Sequence, residues 1–193
     1  MAQYLSPNRV ALMVAEGLEE IEGLTVVDLL FRAGIPCDTV SIAADRTVTS
    51  SHKVTIVCDR SLADDDFSFA DYGLVVLPGG IPGTPNLAAC KPLTDELCRR
   101  MAAGEPVAAI CAAPTILAEL GLLEGRHATC YPDRQPTLVE RGAIVDEGNV
   151  VIDGNLTTSR GMGTAIDFAL AIIAQAKGQD EADRLARAIV YRD

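Results

Sequence analysis

The chemistry that this sequence could perform centres on one of its cysteines. Cys111 follows the apolar segment Val107–Ile110 and precedes Ala112-Ala113-Pro114, so it lies between a predicted strand and a predicted helix. Proline fits the first turn of a helix, where its missing N–H is not needed. A cysteine at a helix N-terminus faces unpaired N–H groups and the positive end of the helix dipole, which both favour the thiolate. We therefore expect a nucleophile with a pKa below the ~8.5 of a free thiol; the alternative is a buried cysteine that ends a strand.

Two backbone N–H groups could stabilise negative charge beside this cysteine. One belongs to Gly80, in the segment Leu77-Pro78-Gly79-Gly80, where the absence of a side chain leaves the amide uncovered. The other belongs to Ala112, directly after the cysteine. A pair of backbone donors of this kind forms an oxyanion hole. For the Gly80 amide, the alternative is that Pro78-Gly79-Gly80 forms an ordinary turn without a role in binding charge.

A run of carboxylates stands at the start of the first predicted helix. Charges there compensate the helix dipole, and this interpretation suits Glu19 and Glu20. Glu22 differs in phase, because it lies two residues before Leu24, toward the side of the helix that is expected to be covered. Burial raises the pKa of a carboxyl. A protonated Glu22 could then donate a hydrogen bond to a thiolate at Cys111.

The sequence contains no recognisable metal or cofactor motif. It has no H-E-x-x-H, no C-x-x-C among its six cysteines and no phosphate-loop G-x-x-x-x-G-K. His52 and His127 are expected at the surface or in structural roles. The segment Gly161-Met162-Gly163 is too short for a dinucleotide fingerprint and is expected to tighten a turn from a strand to a helix. We expect no metal, no cofactor and reduced thiols.

The elements that must position these groups follow from the hydrophobic pattern. Short apolar segments alternate with longer segments of helical periodicity. Fully apolar strands indicate a sheet covered on both faces, hence a doubly wound α/β sandwich with a mostly parallel sheet. In such a fold, sites form where strands end, which points to the loops after Val14, Leu77 and Ile110. Strands are expected at 10–14, 37–43, 48–49, 54–57, 74–77, 107–110, 127–130, 144, 150–152 and 156–159, and helices at 21–33, 94–103, 114–120, 164–176 and 181–188.

Composition and charge exclude several classes of protein. The chain has 193 residues, of which 49% are hydrophobic, and this suits a single domain over residues 1–193. Nucleic-acid binding is not expected, because the net charge is −11 and aromatic residues make up only 4%. No apolar run is long enough for a membrane span, and the first residues lack the pattern of a signal peptide. We expect a cytoplasmic protein with no membrane partner.

Four segments, taken in order, resemble a known family. Together they are similar to the ThiJ/PfpI superfamily, in the branch that holds the parkinsonism-associated deglycase and the bacterial protein YajL. Each segment alone would be a weak signal, and their order makes the resemblance specific. The segments are Gly17-Leu18-Glu19-Glu20-Ile21-Glu22, Leu77-Pro78-Gly79-Gly80, Ala109-Ile110-Cys111-Ala112-Ala113-Pro114 and Thr158-Ser159-Arg160-Gly161-Met162-Gly163-Thr164.

The resemblance implies a flavodoxin-like sandwich of the class I glutamine amidotransferase type, and a homodimer. It implies that Cys111 is the reactive cysteine and that Glu22 is its carboxyl partner. It implies that the amides of Gly80 and Ala112 bind an oxyanion. It also implies activity on glyoxal and methylglyoxal, or on their adducts with proteins and nucleotides, as a deglycase or a cofactor-independent glyoxalase.

The sequence departs from the family pattern where the family has histidines. Ala112 follows the cysteine at a position where the protease and hydratase branches place His, so peptidase activity is not expected. Thr129-Cys130-Tyr131-Pro132 stands where the parkinsonism-associated member has Thr-His-Pro in its pocket. A histidine base is therefore missing at both places, and the group that replaces it is left open.

The expected dimer interface involves the end of the first helix. Phe31 lies there, and with the hairpin around His52 it should form a two-fold contact, as in the family. His52 itself stands where the family often has an Arg of the dimer-side pocket. The alternative is that Phe31 packs in the core.

The residues leave more than one function open. In the first, the protein is a stress-response enzyme in which Cys111 attacks a small reactive carbonyl compound or its adducts. In the alternative, it is a redox-sensing, chaperone-like protein in which Cys111 oxidises to a sulfinate capped by Glu22. A third possibility is a metabolic enzyme for another small reactive metabolite. All three use the same cysteine and carboxyl.

Overall fold

The computed structural model describes residues 4–191. Residues 1–3 and 192–193, which the expected single domain includes, lie outside the described residues. The strands are β1 (Val10–Val14), β2 (Cys37–Ser41), β3 (Thr47–Thr49), β4 (Thr55–Val57), β5 (Arg60–Ser61), β6 (Leu74–Leu77), β7 (Val107–Ile110), β8 (His127–Ala128), β9 (Ile144–Val145), β10 (Val150–Asp153) and β11 (Leu156–Ser159). The helices are α1 (Glu20–Arg32), α2 (Gly83–Ala89), α3 (Lys91–Ala103), α4 (Pro114–Glu119), α5 (Gln135–Glu140), α6 (Ala165–Lys177) and α7 (Gln179–Ala188).

A mostly parallel sheet forms the centre of the molecule. Within the described residues its order is β10-β11-β7-β6-β1-β2-β5. The pair β10–β11 is antiparallel, and the other neighbouring pairs of this sheet are parallel. Because parallel strands all end at the same edge, the loops after β1, β6 and β7 come together there, as the doubly wound fold predicts.

Helices cover both faces of the sheet, because successive side chains along a strand point to opposite faces. In β1, Val10, Leu12 and Val14 belong to a hydrophobic cluster with residues of α1, α6 and α7. Ala11 and Met13 belong to a second cluster with residues of α2, α3, α4 and α5. The two clusters are the two halves of the core and confirm the predicted three-layer sandwich.

The predicted alternation of strands and helices is confirmed with some differences. The hydrophobic pattern does not predict α2, α5 or β5, and the second strand ends at Ser41 rather than at residue 43. The sequence of α2 contains Gly and Pro, which are typical of a loop. It is nonetheless helical, because Leu87 is fully buried in the core and the Thr84 N–H donates to the Gly80 carbonyl at 2.8 Å. No helix within residues 4–191 is long and apolar enough to cross a membrane.

Candidate active site

Cys111 occupies the sharp turn between β7 and α4. Its backbone lies in the left-handed region with a φ of 65°, which few residues other than glycine adopt and which is found at strained functional positions. Its N–H donates to the Ser159 carbonyl at 2.9 Å, and its carbonyl accepts from the Tyr131 N–H at 2.8 Å. Two neighbouring segments thus hold a strand–turn–helix geometry that presents nucleophiles in α/β folds.

Glu22 reaches the same place from the first turn of α1. Glu19 caps this helix, since its Oε2 accepts a hydrogen bond from the Glu22 N–H at 2.7 Å. Glu22 is 1% exposed, and its Oε2 accepts from the Gly79 N–H at 2.8 Å. Its Oε1 is buried, and no nitrogen or hydroxyl donor of residues 4–191 reaches it. The carboxyl shares a hydrogen bond with the Cys111 thiol.

The environment of Glu22 shifts its titration toward neutral pH. Burial raises the pKa of Glu22 to about 7, although the hydrogen bonds with Cys111 and Gly79 act to lower it, and the charge of Glu19 raises it further. The predicted covered position and raised pKa are both confirmed. A carboxyl that titrates near pH 7 is suited to general acid–base catalysis.

The structure contradicts the expected low pKa of Cys111. Burial of the sulfur, the charge of Glu22 and the hydrogen bond with its carboxylate raise the pKa of Cys111 to about 12. The amides of Ala112 and Gly80 oppose this rise only in part. The prediction failed because α4 is short and begins three residues after Cys111, whereas the Glu22 carboxylate is in contact with it. Two adjacent buried negative charges are unfavourable, so a thiolate at this site requires Glu22 to keep its proton.

The two predicted amides lie beside the sulfur. The N–H groups of Gly80 and Ala112 both hydrogen-bond Cys111 Sγ. The structure therefore brings together in one place the cysteine, the Glu22 carboxyl and both backbone donors that the sequence singled out. Donors in this arrangement can stabilise negative charge that develops on an atom bonded to the sulfur.

The Pro-Gly-Gly segment after β6 is more than a plain turn, because neither glycine has room for a side chain. A Cβ on Gly79 would lie 2.7 Å from both Cys111 Cβ and Glu22 Oε2. Gly80 has a φ of 101°, and a Cβ there would lie 2.3 Å from the Glu19 backbone nitrogen. The two glycines allow α1 and the Cys111 turn to approach the end of β6.

Other acidic and histidine side chains pair with one another outside this cluster. His52 Nδ1 lies 3.1 Å from Glu20 Oε2 and 3.9 Å from Glu19 Oε1. Burial acts to raise the pKa of Glu20, but the hydrogen bonds from its own backbone amide and from His52 prevail and lower it. Potential ligand atoms of these three side chains lie within 4.8 Å of one another, and their mutual ion pairs account for that closeness. His127 is exposed and pairs with Asp146 at 2.8 Å, in agreement with a surface role.

Two residues beside the cluster were not among the predicted site residues. Gly161 precedes the turn into α6, and a Cβ placed on it would lie 3.5 Å from Tyr131 Cδ2, 3.9 Å from Glu22 Oε1 and 4.0 Å from Cys111 Sγ. The sequence gives one indication that Tyr131 belongs to the site, namely its place in the segment that replaces Thr-His-Pro. For Gly161 the sequence indicates only a turn and gives no sign of its closeness to the site.

Fold and site together define a flavodoxin-like protein of the class I glutamine amidotransferase type, with a cysteine on the turn after a central strand. The chain belongs to the DJ-1/PfpI family, whose family model matches residues 8–175. Protein dj-1beta of Drosophila melanogaster is 38% identical over 178 residues, which are 92% of this chain and 94% of that relative. Its crystal structure matches with a TM-score of 0.86, covering 95% of this chain and 97% of that one.

Two further relatives bear on function. The glutathione-independent glyoxalase DJR-1.2 of Caenorhabditis elegans is 32% identical over 178 residues, which are 91% of this chain and 92% of that relative. The structure of oxidized DJ-1 from Toxoplasma gondii is 30% identical and matches with a TM-score of 0.87, covering 96% of this chain and 99% of that one. These similarities support a DJ-1-type stress-response function.

Proposed function

We propose that this protein is a cysteine-dependent enzyme that converts glyoxal and methylglyoxal, or their early adducts with proteins and nucleotides, into 2-hydroxy acids. The observation that carries the proposal is the contact of the Cys111 thiol with the Glu22 carboxyl and with the Gly80 and Ala112 amides. The similarity to a relative named as a glutathione-independent glyoxalase supports the choice of substrate.

In the first step, Cys111 Sγ bonds to the aldehyde carbon of the substrate. The thiol proton passes through Glu22, and the carbonyl oxygen ends as the hydroxyl of a hemithioacetal. Negative charge develops on this oxygen during attack, and the N–H groups of Gly80 and Ala112 stabilise it. Glu22 can accept and return the proton because its pKa is about 7.

In the second step, Glu22 removes the hydrogen of the sulfur-bound carbon as a proton, and a proton is returned to the neighbouring carbon. The hydroxyl proton of the hemithioacetal is transferred to the oxygen of the neighbouring ketone. The sulfur-bound carbon is thereby oxidised to a thioester, and the neighbouring ketone is reduced to an alcohol within the same molecule. Water then cleaves the thioester to release the 2-hydroxy acid and restore the thiol of Cys111. One molecule of water is consumed, and no external oxidant or reductant is needed.

The positions at which this sequence lacks the family's histidines limit the chemistry that the site can perform. Ala112 offers no histidine after the cysteine, so the site lacks the base of a cysteine peptidase at that position. Glu22 is then the acid–base group in contact with the thiol. The reaction written above needs no cofactor, in keeping with the absence of a cofactor motif in the sequence.

A second candidate function uses the same contacts for oxidation. Two molecules of hydrogen peroxide would each transfer one oxygen to Cys111 Sγ and leave as water, which gives a sulfinate. The amides of Gly80 and Ala112 already bond the sulfur and could bond the added oxygens, as could a protonated Glu22. The similarity to an oxidized relative supports this candidate.

Formation of the 2-hydroxy acid separates enzymatic turnover from simple scavenging by thiols. Lactate produced from methylglyoxal would be followed by NMR in phosphate buffer, which contains no amine. We expect steady turnover by the wild type, background rates for Cys111→Ser and wild-type rates for Cys98→Ser, a matched removal of another half-buried thiol. Lactate formation by Cys111→Ser at the wild-type rate would contradict the enzyme. Wild-type protein without turnover, but with selective peroxide oxidation of Cys111, would favour the second candidate.

A further inference from the structure

A groove between α2 and α4 begins at the two backbone amides of the site. Ala112, whose N–H bonds Cys111 Sγ, forms part of its wall, and so does Ile81, the residue after Gly80. The groove has a volume of about 450 Å³, which lies in the range of sites for ligands much larger than the three-carbon methylglyoxal. It therefore has room for a second part of the substrate, beyond the aldehyde carbon. Residues that line this α2–α4 groove include Ile81, Ala88, Ala112, Ile116, Glu119 and Arg134.

Most of the side chains that line the α2–α4 groove are small or apolar. Ala88 of α2 and Ile116 of α4 are two of them. The hydroxyl of Thr115, which also lines the groove, donates to the Ala112 carbonyl at 2.8 Å, so its proton is already used. An aliphatic chain in the groove would cover these side chains and gain free energy by removing apolar surface from water.

Arg134 gives the groove a positive charge that no carboxylate neutralises. The chain has 27 Asp and Glu against 16 Lys and Arg, yet no carboxylate of residues 4–191, that of Glu119 included, pairs with the exposed guanidinium. The backbone of Arg134 is tied to the site, because its N–H donates to the Tyr131 carbonyl at 2.8 Å and the Tyr131 N–H donates to the Cys111 carbonyl at 2.8 Å. A guanidinium binds a carboxylate or a phosphate through two parallel hydrogen bonds.

Glu119 gives the groove the opposite charge farther along α4. It lies seven residues after Ala112, which is about 10 Å along a helix at ~1.5 Å per residue, and it is exposed. A ligand with several negative charges would meet Glu119 as well as Arg134, and the whole chain has a net charge of −11. The groove thus favours a single anionic group near Arg134 and disfavours a polyanion such as a nucleic acid.

We infer that the α2–α4 groove is a subsite for the leaving part of an adduct, and that Arg134 binds an anionic group, a carboxylate or a phosphate, on that part. The inference rests on the proposed function for the identity of the reacting carbon. It deepens that function, because it makes adducts of an anionic amine or thiol better substrates than the free aldehydes. The apolar side chains of the groove receive the chain that joins the reacting carbon to the anionic group.

The groove adjoins the place where the adduct is cleaved. Cys111 Sγ forms a bond to the adduct carbon, and the bond from that carbon to the amine nitrogen or thiol sulfur breaks. The proton of the Cys111 thiol passes through Glu22 to the leaving atom, which departs as a neutral amine or thiol. The hemithioacetal left on the enzyme is the one that the free aldehyde forms. The departing part needs space beyond the contact of Cys111 with Glu22, and the groove provides it beside Ala112.

The decisive variant is Arg134→Gln, which removes the charge and keeps a polar side chain at the groove. Arg141→Gln is the matched control, because Arg141 is also exposed, ends α5 and does not line the groove. It changes the net charge of the chain by the same amount. Glu119→Gln removes the opposite charge from the same groove. All three side chains are exposed, so the variants are expected to fold like the wild type.

The first measurement compares kcat/KM for lactate formation from the methylglyoxal adducts of 6-mercaptohexanoate and 6-mercaptohexanol. These adducts differ in ending in a carboxylate or a hydroxyl. We expect the ratio of the two values to fall by about 10-fold in Arg134→Gln, as for loss of a hydrogen bond to a charged group, and not to fall in Arg141→Gln or Glu119→Gln.

The same comparison with the adducts of guanosine 5′-monophosphate and guanosine distinguishes the two sources of the anionic group. A fall confined to the carboxylate pair assigns the groove to amino acid and peptide adducts, and a fall confined to the phosphate pair assigns it to nucleotide adducts. Unchanged ratios for both pairs in Arg134→Gln, or an equal fall in Arg141→Gln, would overturn the subsite.

The second measurement needs no turnover and so separates the subsite from the proposed function. Cys111 is labelled with 3-maleimidopropionate, which is anionic, and with N-ethylmaleimide, which is neutral, and mass spectrometry of the Cys111 peptide gives both rates. We expect Arg134→Gln to lower the ratio of the anionic to the neutral rate, and high salt to reduce this effect. If the ratio falls although the wild type forms no lactate from any adduct, the groove binds anions and the proposed function is wrong. An unchanged ratio of labelling rates would overturn the subsite, whether or not the wild type forms lactate.

Discussion

The Glu22 carboxyl and the Cys111 thiol share a hydrogen bond, although one lies on α1 and the other follows β7. The Gly79 N–H holds the other side of the carboxyl. Because the two acidic groups are in contact, the charge on either one disfavours ionisation of the other. The reactivity of the cysteine is therefore a property of the pair.

The first prediction concerns the pH dependence of stability. The Glu22 carboxyl ionises near its ordinary pKa of 4.5 in the unfolded chain and near pKa 7 in the folded protein. Between these values the folded protein keeps a proton that the unfolded chain has lost, so the free energy of unfolding falls as pH rises through this window. Glu22→Gln should remove this dependence and be more stable than the wild type above pH 7, by roughly 3 kcal/mol at most.

Urea denaturation at pH 5 and pH 8 would measure this difference. Glu20→Gln is the control of opposite sign, because the pKa of Glu20 is lowered in the folded protein. Its carboxylate contributes stability above the unfolded pKa and loses it as pH falls, so this variant should be less stable than the wild type at pH 8. Wild-type stability that does not fall as pH rises through this window would contradict the raised pKa of Glu22.

The second prediction concerns the close approach of Gly79 to Cys111 and Glu22. Gly79→Ala would place a Cβ 2.7 Å from both Cys111 Cβ and Glu22 Oε2. One of these groups has to move, so we expect a loss of about 1–3 kcal/mol in the free energy of unfolding, as for other overpacked sites, together with loss of turnover. Gly163→Ala, with no atom near its Cβ, should show neither effect. A Gly79→Ala protein with wild-type turnover would contradict the position of Glu22 beside the thiol.

The sequence predicts best those features that depend on neighbours along the chain. An apolar strand, two alanines and a proline define the turn at Cys111, and helical phase alone identifies Glu22 as the covered carboxylate. The pKa of Cys111 was predicted wrongly because it depends on a charge brought in by a distant helix, which no local pattern reveals.

The position of Gly161 beside the site was missed for a related reason. A Cβ on it would lie within 4.0 Å of side chains from three separate segments, those of Tyr131, Glu22 and Cys111, whereas a glycine in sequence only suggests a turn. The helix α2 was missed because its Gly and Pro favour a loop, whereas the burial of Leu87 makes it a helix. In each case tertiary packing prevails over a weak local preference.

The third prediction concerns association. Phe31 is 81% exposed, which excludes the alternative that it packs in the core. Ile21 and Leu24 of the same helix are also exposed, and an apolar helix face of this kind is typical of an interface between subunits. We expect light scattering to give twice the chain mass of 20.4 kDa for the wild type at micromolar concentration.

Phe31→Glu should weaken this dimer, because it places a charge in the apolar contact. Val139→Ser is the control, since Val139 is 59% exposed on α5, whose core residue Leu138 belongs to the cluster on the other face of the sheet. Wild-type protein that scatters as a single chain would refute the predicted dimer, and equal dimerisation of both variants would place the interface elsewhere.

The last prediction separates Glu22 from its acidic neighbours by activity. Glu19 caps α1 and Glu20 pairs with His52, so changing either to Gln should alter turnover little. Glu22→Gln keeps a hydrogen-bond donor beside Cys111 but cannot exchange a proton, so turnover of methylglyoxal should fall by ~10²–10⁴ if Glu22 is the acid–base group. Glu22→Asp, which is shorter by one methylene, should also lower turnover and should slow the oxidation of Cys111 to the sulfinate. Because Glu22→Gln preserves the shape of the site, the loss should appear in kcat rather than in KM. If the three Glu→Gln variants have the same turnover and the same rate of Cys111 oxidation, Glu22 is a structural carboxyl and the proposed mechanism is wrong.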